Sequence, residues 1–529
     1  MLNQINISSV EDLQQHNLHF LTKDLLSNDS AYYSLRAKVQ KHYNELLNKG
    51  WNDRPYQVEF ATLYGLRRNN ICALSLGLGK TIIAGLHIAA LYQDKLHSFR
   101  PGAIQVVCPS YLSLEFRWLE DLHKLSVLSP YLSVINSPQQ IKSDKSPIWL
   151  YTIDFPKRKS KNINGTIAKE ISRRGLCPNL LIIDEAHLLK EGSQRTQQLQ
   201  IIRNKTKRVL LLSGTISDGR LDLLDFLCRF TYRQHWLFSS KDFVKSFSVN
   251  KTLSSNYLYG SNSTQNNKTF STLSSSKLRD YNNILNTFIH RSSYSDPDIY
   301  PFVSLPKRDT LVEKIDAYYD HKLYYNSIIN SHLNSINKLA NSSQSKSIIT
   351  KILQIIHPIL EASSTPPSHI PNRKLDILLD YVSEYYSLKK KTAIFIRSVA
   401  SGRLITNTLR SIYSPQEVIR VYSQDSEFNP PKQSLSERNK AIDSFLFKDA
   451  SIGVFSYKLC SESINLTSAE QIIFYDYPWS ATFLSQALHR VVRPGSIADV
   501  VREVYLYNLG FIDEHQVSLL AEKLNSASL

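Results

Sequence analysis

Short apolar runs alternate with helical spacing along this 529-residue chain. Residues 71–76, 104–108, 148–154, 180–183 and 208–212 are apolar on both faces, as strands buried in a parallel sheet must be. The stretches between them have helical periodicity; Leu114, Phe116, Trp118, Leu119 and Leu122 form one such set. Strand and helix in alternation predict an α/β unit with a parallel sheet. A second series follows a helical pattern at 374–386, with strands expected at 392–396, 418–422, 451–455 and 471–476. Between the two series, 239–272 turns to Ser, Asn, Thr and Lys, which predicts an exposed loop. Helical spacing resumes at Leu278, Tyr281, Ile284, Leu285 and Phe288 and runs, with interruptions, to Leu360. Ser363-Ser364-Thr365-Pro366-Pro367-Ser368 has the composition of a linker and marks the expected boundary. Residues 1–50 are polar and helix-leaning, with an amphipathic segment from Tyr32 to Leu47, and carry no evident chemistry.

The first apolar run ends in Leu76-Gly77-Leu78-Gly79-Lys80-Thr81 and a helix follows. Glycines let the backbone approach phosphates, and a helix N-terminus offers unpaired N–H groups to an anion. In such a loop Lys80 reaches the β- and γ-phosphates and the Thr81 hydroxyl holds Mg²⁺. The full phosphate-loop pattern also wants glycine where Leu74 stands. The run at 180–183 ends in Asp184-Glu185-Ala186-His187, at the sheet edge where ligands of α/β proteins bind. Asp184 is suited to the Mg²⁺ shell and Glu185 to polarising a water. An acidic string often merely ends a strand, but one about a hundred residues after a phosphate loop points to NTP hydrolysis.

Three further stretches leave two readings open. The Gln57 amide, in Arg54-Pro55-Tyr56-Gln57, offers a donor and an acceptor to an adenine edge, or simply starts a surface helix after Pro55. Ser213-Gly214-Thr215 either senses bound nucleotide at the sheet edge or is a turn. Gln486, Arg490 and Arg493 are spaced four and three apart and would share one helical face. That face suits a γ-phosphate held by arginine, or a salt-bridged or nucleic-acid-contacting helix.

Composition narrows the partners. Lys+Arg 63 against Asp+Glu 46 gives a net charge of +17, which favours a polyanion such as nucleic acid. The cysteines Cys72, Cys108, Cys177, Cys228 and Cys460 form no C-x-x-C pair, so neither zinc nor a disulfide framework is expected. A reducing compartment follows, and with no signal pattern and no long apolar run, a cytoplasmic location without membrane contact. The basic run Pro156-Lys157-Arg158-Lys159-Ser160-Lys161 allows a nuclear import signal or a phosphate-contacting loop as alternatives to a solvated loop. Abundant Asn, Lys, Ile, Ser and Tyr hint at an AT-rich coding genome.

Taken in order from Arg54 to Glu514, these motifs resemble helicase superfamily two, specifically its SWI/SNF-type DNA-dependent ATPase branch. Arg54-Pro55-Tyr56-Gln57 resembles the adenine-reading glutamine motif and Gly77-Leu78-Gly79-Lys80-Thr81 the branch's phosphate loop. Val107-Cys108-Pro109-Ser110 with Trp118 is similar to a segment implicated in DNA-backbone contact. Asp184-Glu185-Ala186-His187 and Ser213-Gly214-Thr215 resemble the hydrolysis and coupling motifs. Arg438, Ile442 and Phe445, then Ile464-Asn465-Leu466-Thr467, Gln486…Arg490…Arg493-Pro494-Gly495 and Phe511-Ile512-Asp513-Glu514, fall where the branch has its second-lobe motifs. The chain departs at Leu74-Ser75-Leu76, at Ser461-Glu462-Ser463 (where the family has a G-x-G) and at His489, in place of glycine. Such divergence resembles the transcription-associated ATPases of large DNA viruses and cytoplasmic linear plasmids.

The resemblance implies two RecA-like lobes, ATP, Mg²⁺ and movement on DNA, duplex favoured. The expected partition is a helical extension (1–50), a first lobe (51–236), a helical insertion with polar loop and linker (237–368), a second lobe (369–515) and a tail (516–529). Service to an RNA polymerase or replication machinery of a viral or plasmid genome is the leading expectation. A weakly hydrolysing, DNA-binding transcription subunit using ATP as a conformational ligand is a second, and an RNA helicase a third.

Overall fold

A computed structural model describes residues 30–528, apart from 160–164, 215–220, scattered positions from 234 to 247, 254–267, 274–285, 287, 341–344, 423–432, 434, 448–449 and 458–463. Contacts divide the chain into two units, the break falling between Val303 and Ser304.

In the first unit, α1 (Ser30–Asn48), α2 (Tyr56–Leu66) and α3 (Lys80–Tyr92) pack together. The strands are β1 (Asn69–Leu74), β2 (Ile104–Cys108), β3 (Leu132–Val134), β4 (Ile148–Thr152), β5 (Leu180–Ile183) and β6 (Arg208–Ser213). Helices α4 (Ile167–Arg173), α5 (Gln194–Asn204) and α6 (Leu221–Tyr232) connect or follow them. An antiparallel ribbon of β7 (Ser248–Leu253) and β8 (Lys268–Leu273) precedes β9 (Ile289–Ser292). The sheet runs β3-β4-β2-β5-β6-β1-β9 with every pairing parallel. β2 and β5 are buried throughout, which is why their sequences show no polar alternation. Ile183 and Ile71 both lie opposite Leu211, so the ends of β1, β5 and β6 share one edge.

The second unit opens with β10 (Lys307–Ile315) and two long helices, α7 (Tyr319–Ala340) and α8 (Ser345–Ser364). The α/β series continues through α9 (Arg373–Ser387), β11 (Thr392–Ile396), α10 (Val399–Ile412), β12 (Val418–Val421), α11 (Leu435–Phe447), β13 (Ile452–Ser456) and β14 (Gln471–Phe474). It closes with α12 (Ala481–Val491), β15 (Val500–Asn508) and α13 (Ile512–Ser528). Six parallel strands run β10-β15-β14-β11-β13-β12. Phe395, Phe455 and Phe474 fill one face of this sheet, Ile394, Val454 and Ile473 the other. The Tyr325 ring of α7 stacks on Phe511 at 3.9 Å and 5°, seating the helical pair against the chain's last helix.

The stretch 237–368 holds helices where periodicity suggests them, α7 and α8, but it is not wholly a helical insertion. It supplies β9 to the first sheet and β10 to the second, and the β7–β8 ribbon lies where composition predicts only loop. β10 is an edge strand whose exposed positions are Lys307, Arg308, Thr310, Val312 and Lys314, so little apolar signal marks it. Residues 278–285 lie outside the described residues. The expected linker is tied down: Ser363 and Ser364 are buried, and the Ser364 carbonyl accepts hydrogen bonds from Tyr475 (2.8 Å) and Asn372 (3.1 Å). The expected tail, 516–529, continues α13 as far as Ser528.

Candidate active site

The phosphate loop is strapped from behind by the residues that precede and begin α2. Gly77 and Gly79 take φ of +93° and +83°, and Gly79 caps α3 in the left-handed conformation. Arg54 Nη1 donates to the Gly77 carbonyl (3.0 Å), while the Tyr56 hydroxyl (3.3 Å) and Gln57 Nε2 (3.1 Å) donate to that of Leu78. Gln57 Oε1 accepts from Trp51 Nε1 at 3.3 Å. Gln57 is fully buried, so in this state its amide braces the loop, a third use beside the two the sequence left open.

Lys80 and Thr81, in the first turn of α3, are both buried. Lys80 Nζ donates to the Leu74 carbonyl (3.1 Å), and a Cβ added at Gly214 would lie 3.6 Å from it. The ammonium thus sits between the ends of β1 and β6.

Asp184 and Glu185 follow β5 at the same edge, and both are buried. Asp184 Oδ1 accepts the Glu185 backbone N–H (2.9 Å), and Oδ2 accepts the Trp118 indole N–H (2.8 Å). Glu185 takes a left-handed backbone, φ +49°, rare outside glycine and concentrated at functional sites. Its Oε2 lies 3.3 Å from His187 Nδ1 and has no hydrogen-bond partner in good geometry. His187 Nδ1 lies 3.0 Å from the Ser213 hydroxyl, joining the end of β5 to the end of β6.

Burial, and after it the charge of the neighbouring Glu185, push the pKa of Asp184 up from its ordinary value. Burial also opposes ionisation of Glu185, but the His187 imidazole and the charges of Lys80 and Arg117 outweigh it and hold Glu185 low. Carboxyls driven apart in this way suit different tasks, Glu185 as the more readily ionised base and Asp184 as the one whose charge a nearby cation would favour.

The residues fit a divalent cation bound with nucleotide. Among the described residues no three His, Cys, Asp or Glu side chains group to hold a metal alone. Mg²⁺ commonly leans on one or two protein oxygens plus phosphates and water. Thr81 and Asp184 are such a pair, and Glu185 Oε2, 3.3 Å from His187 Nδ1, is a buried carboxylate oxygen that satisfies no hydrogen bond in good geometry.

The structure therefore gathers Gln57, Gly77, Leu78, Gly79, Lys80, Thr81, Asp184, Glu185, His187, Ser213 and Gly214 around one sheet edge of the first unit. Thr215 lies outside the described residues. Gln486, Arg490 and Arg493 belong to the second unit. Gln486 and Arg490 are buried on α12, but that helix ends at Val491, so Arg493 does not share their helical face. Pro494 is the reason, since the residue before proline is pushed out of the helical region. The Arg490 carbonyl accepts the Leu466 N–H (3.0 Å), attaching Ile464-Asn465-Leu466-Thr467 to α12.

Two residues near the site escaped sequence reasoning in their roles. Trp118, placed by resemblance in a DNA-contacting segment, is fully buried and hydrogen-bonded to Asp184. Arg117 acts electrostatically on both carboxylates. Helical spacing exposes neither, because it reports which face is apolar and not where a single N–H points.

Comparison with known proteins adds a lineage to this geometry. Residues 19–366 match the sequence model of the SNF2-related domain, and 373–495 that of the helicase conserved C-terminal domain. The uncharacterized ATP-dependent helicase YqhH of Bacillus subtilis is 22% identical over 94% of this chain and 86% of its own length. The ISWI chromatin-remodeling complex ATPase ISW1 of Saccharomyces cerevisiae is 25% identical over 84% of this chain but only 37% of itself. The Sulfolobus solfataricus SWI2/SNF2 ATPase core in complex with dsDNA is 21% identical over 90% of this chain and 92% of that one, with a TM-score of 0.36.

Proposed function

The chain belongs to the SNF2-related family, and on that premise we propose that it is an ATP-driven motor that moves along duplex DNA. The observation that carries this reading is the meeting of Lys80 with the Asp184–Glu185 pair at one sheet edge, beside a strapped phosphate loop. Backbone N–H groups at the start of α3 and the Lys80 ammonium take the phosphate charge. Thr81 and Asp184 would hold Mg²⁺, which supplies charge neutralisation on the β- and γ-phosphates when bound. Glu185, kept anionic by His187 and Lys80, accepts a proton from the attacking water. The His187–Ser213 contact makes the end of β6 sensitive to what Glu185 holds. Gln486, Arg490 and Arg493 carry the family's pattern, and their proposed share is stabilising charge on the γ-phosphate.

The net charge of +17 supports a nucleic-acid track. Service to the transcription or replication machinery of a viral or plasmid genome is the finer proposal. It rests on the AT-leaning composition and on the departures at Ser461-Glu462-Ser463 and His489. Those departures also motivate the second reading, a regulator that binds ATP and turns it over slowly.

Steady-state ATP hydrolysis with duplex DNA, single-stranded DNA, RNA or no nucleic acid tests the proposal. Duplex DNA should stimulate most, and Lys80→Ala and Glu185→Gln should each lower the stimulated kcat by roughly 10²- to 10⁴-fold. Turnover that survives either change removes the assigned site. Stoichiometric nucleotide binding with turnover indifferent to every nucleic acid replaces the motor with the regulator.

A further inference from the structure

We propose that Trp118 is a positioning residue for the metal-side aspartate, and that the helical segment carrying it locks Asp184 and the phosphate-loop helix into one frame. This rests on the nucleotide site proposed above. Asp184 Oδ2 receives the Trp118 indole N–H at 2.8 Å while Oδ1 receives the Glu185 backbone N–H at 2.9 Å. One donor on each oxygen fixes the plane of the carboxylate and still leaves each oxygen a lone pair for a cation. The indole has no exposed surface, so its N–H has no solvent alternative to this acceptor.

The segment that delivers the indole is unusual. It starts at Ser110, whose hydroxyl accepts the Ser113 N–H (3.2 Å), and winds as a π-helix over Leu114–Leu119 before resuming as α-helix over Glu120–His123. A π-turn accommodates an extra residue, rotating the side chains beyond it by roughly 100° relative to α-winding. Such turns recur at functional sites. Four residues past Trp118, Leu122 packs on α3 at Gly85, where an added Cβ would come within 3.0 Å of Leu122 and 2.8 Å of Leu125. One short segment therefore grips the helix that bears Lys80 and Thr81 and, through the indole, the carboxylate that follows β5.

The same chemistry occurs elsewhere in this unit and provides an internal control. Trp149, equally buried on β4, donates its indole N–H to Asp144 at 3.0 Å, a pair that touches no proposed site residue. A role in stability alone would make the two tryptophans equivalent.

The experiment compares the full chain with Trp118→Phe and Trp149→Phe, measuring affinity for fluorescently labelled ADP with Mg²⁺ and with EDTA. Trp118→Phe should remove about 10- to 100-fold of the Mg²⁺-dependent gain in affinity and leave metal-free binding unchanged. Trp149→Phe should retain the gain. Equal behaviour of the two variants, or a full gain in Trp118→Phe, overturns the proposal. Wild-type protein that binds no nucleotide under either condition removes the proposed site instead, so the two failures are distinguishable. Indole N–H resonances of the unsubstituted protein give a reading that needs no folded Trp118 variant. Of the five tryptophans, Trp118 is assigned by substituting the other four singly, and its resonance should move when Mg²⁺ joins the ADP complex. A resonance indifferent to Mg²⁺ overturns the proposal as well.

Discussion

Gly79 shows how tightly a single residue can be specified. Its φ of +83° disfavours any side chain, and a Cβ there would fall 2.2 Å from Gln57 Nε2. Gly79→Ala must strain the backbone and also push away the amide that braces Leu78. At about 1–3 kcal/mol for such strain, nucleotide affinity should fall about 10- to 100-fold. Titration with labelled ADP checks this, and Gln57→Ala combined with Gly79→Ala should recover part of the loss by removing the clash. The sequence marks Gly79 clearly, because only glycine suits a left-handed turn against phosphate. It leaves Gln57 ambiguous: an amide has a donor and an acceptor wherever it lies, and only the folded chain shows Trp51 and Leu78 using them. The same holds for Glu185, whose left-handed backbone no residue type announces.

Among elements, the closing helix α13 is held to α9 by a buried ion pair. Lys374 Nζ lies 2.7 Å from Asp513 Oδ2, both side chains almost wholly out of water, with the ammonium 5.0 Å from the centre of the Tyr475 ring. Asp513 Oδ2 also accepts the Asn508 backbone N–H (3.1 Å), fixing the turn from β15 into α13. Asp513→Ala strands a buried ammonium and should destabilise the second unit by about 3–5 kcal/mol. Lys374→Met with Asp513→Leu should recover most of that, since the pair's desolvation cost disappears with its attraction. Urea unfolding of the full chain, followed through its later or earlier transition for that unit, measures both. The central strands β11, β13 and β14 are legible in sequence because they are apolar on both faces. β10 is not, because an edge strand with one solvated side pairs through its backbone, and backbone pairing leaves no mark on residue type.

At the scale of the molecule, charge and buried imidazoles set the response to conditions. Burial and the nearby Arg208 lower the pKa of His87 to about 3, and burial with Arg67 lowers that of His290 to about 4. In the unfolded chain both return to about 6.5. Above that value neither state is protonated and the groups cost nothing. As pH falls below 6.5 only the unfolded state gains the protons, so stability declines by about 1.4 kcal/mol per pH unit for each imidazole until the folded pKa is reached. Unfolding midpoints of the first unit should therefore drop between pH 6.5 and 4, and His290→Gln should make the decline shallower.

Residue order alone determined the α/β architecture, the phosphate loop, the carboxylate pair and the basic balance. Each is a local matter: an apolar run long enough for a buried strand, a glycine that tolerates a positive φ, acids at a strand's end, a sum of charges. Tertiary structure decided what depends on atoms meeting across long separations. It spent the Gln57 amide on the loop, turned Trp118 onto Asp184 from 66 residues away, gave the 237–368 stretch a strand in each sheet and tied the expected linker to Tyr475. The physical reason is that a hydrogen bond needs a few tenths of an ångström of accuracy, while periodicity fixes only which side of an element faces inward.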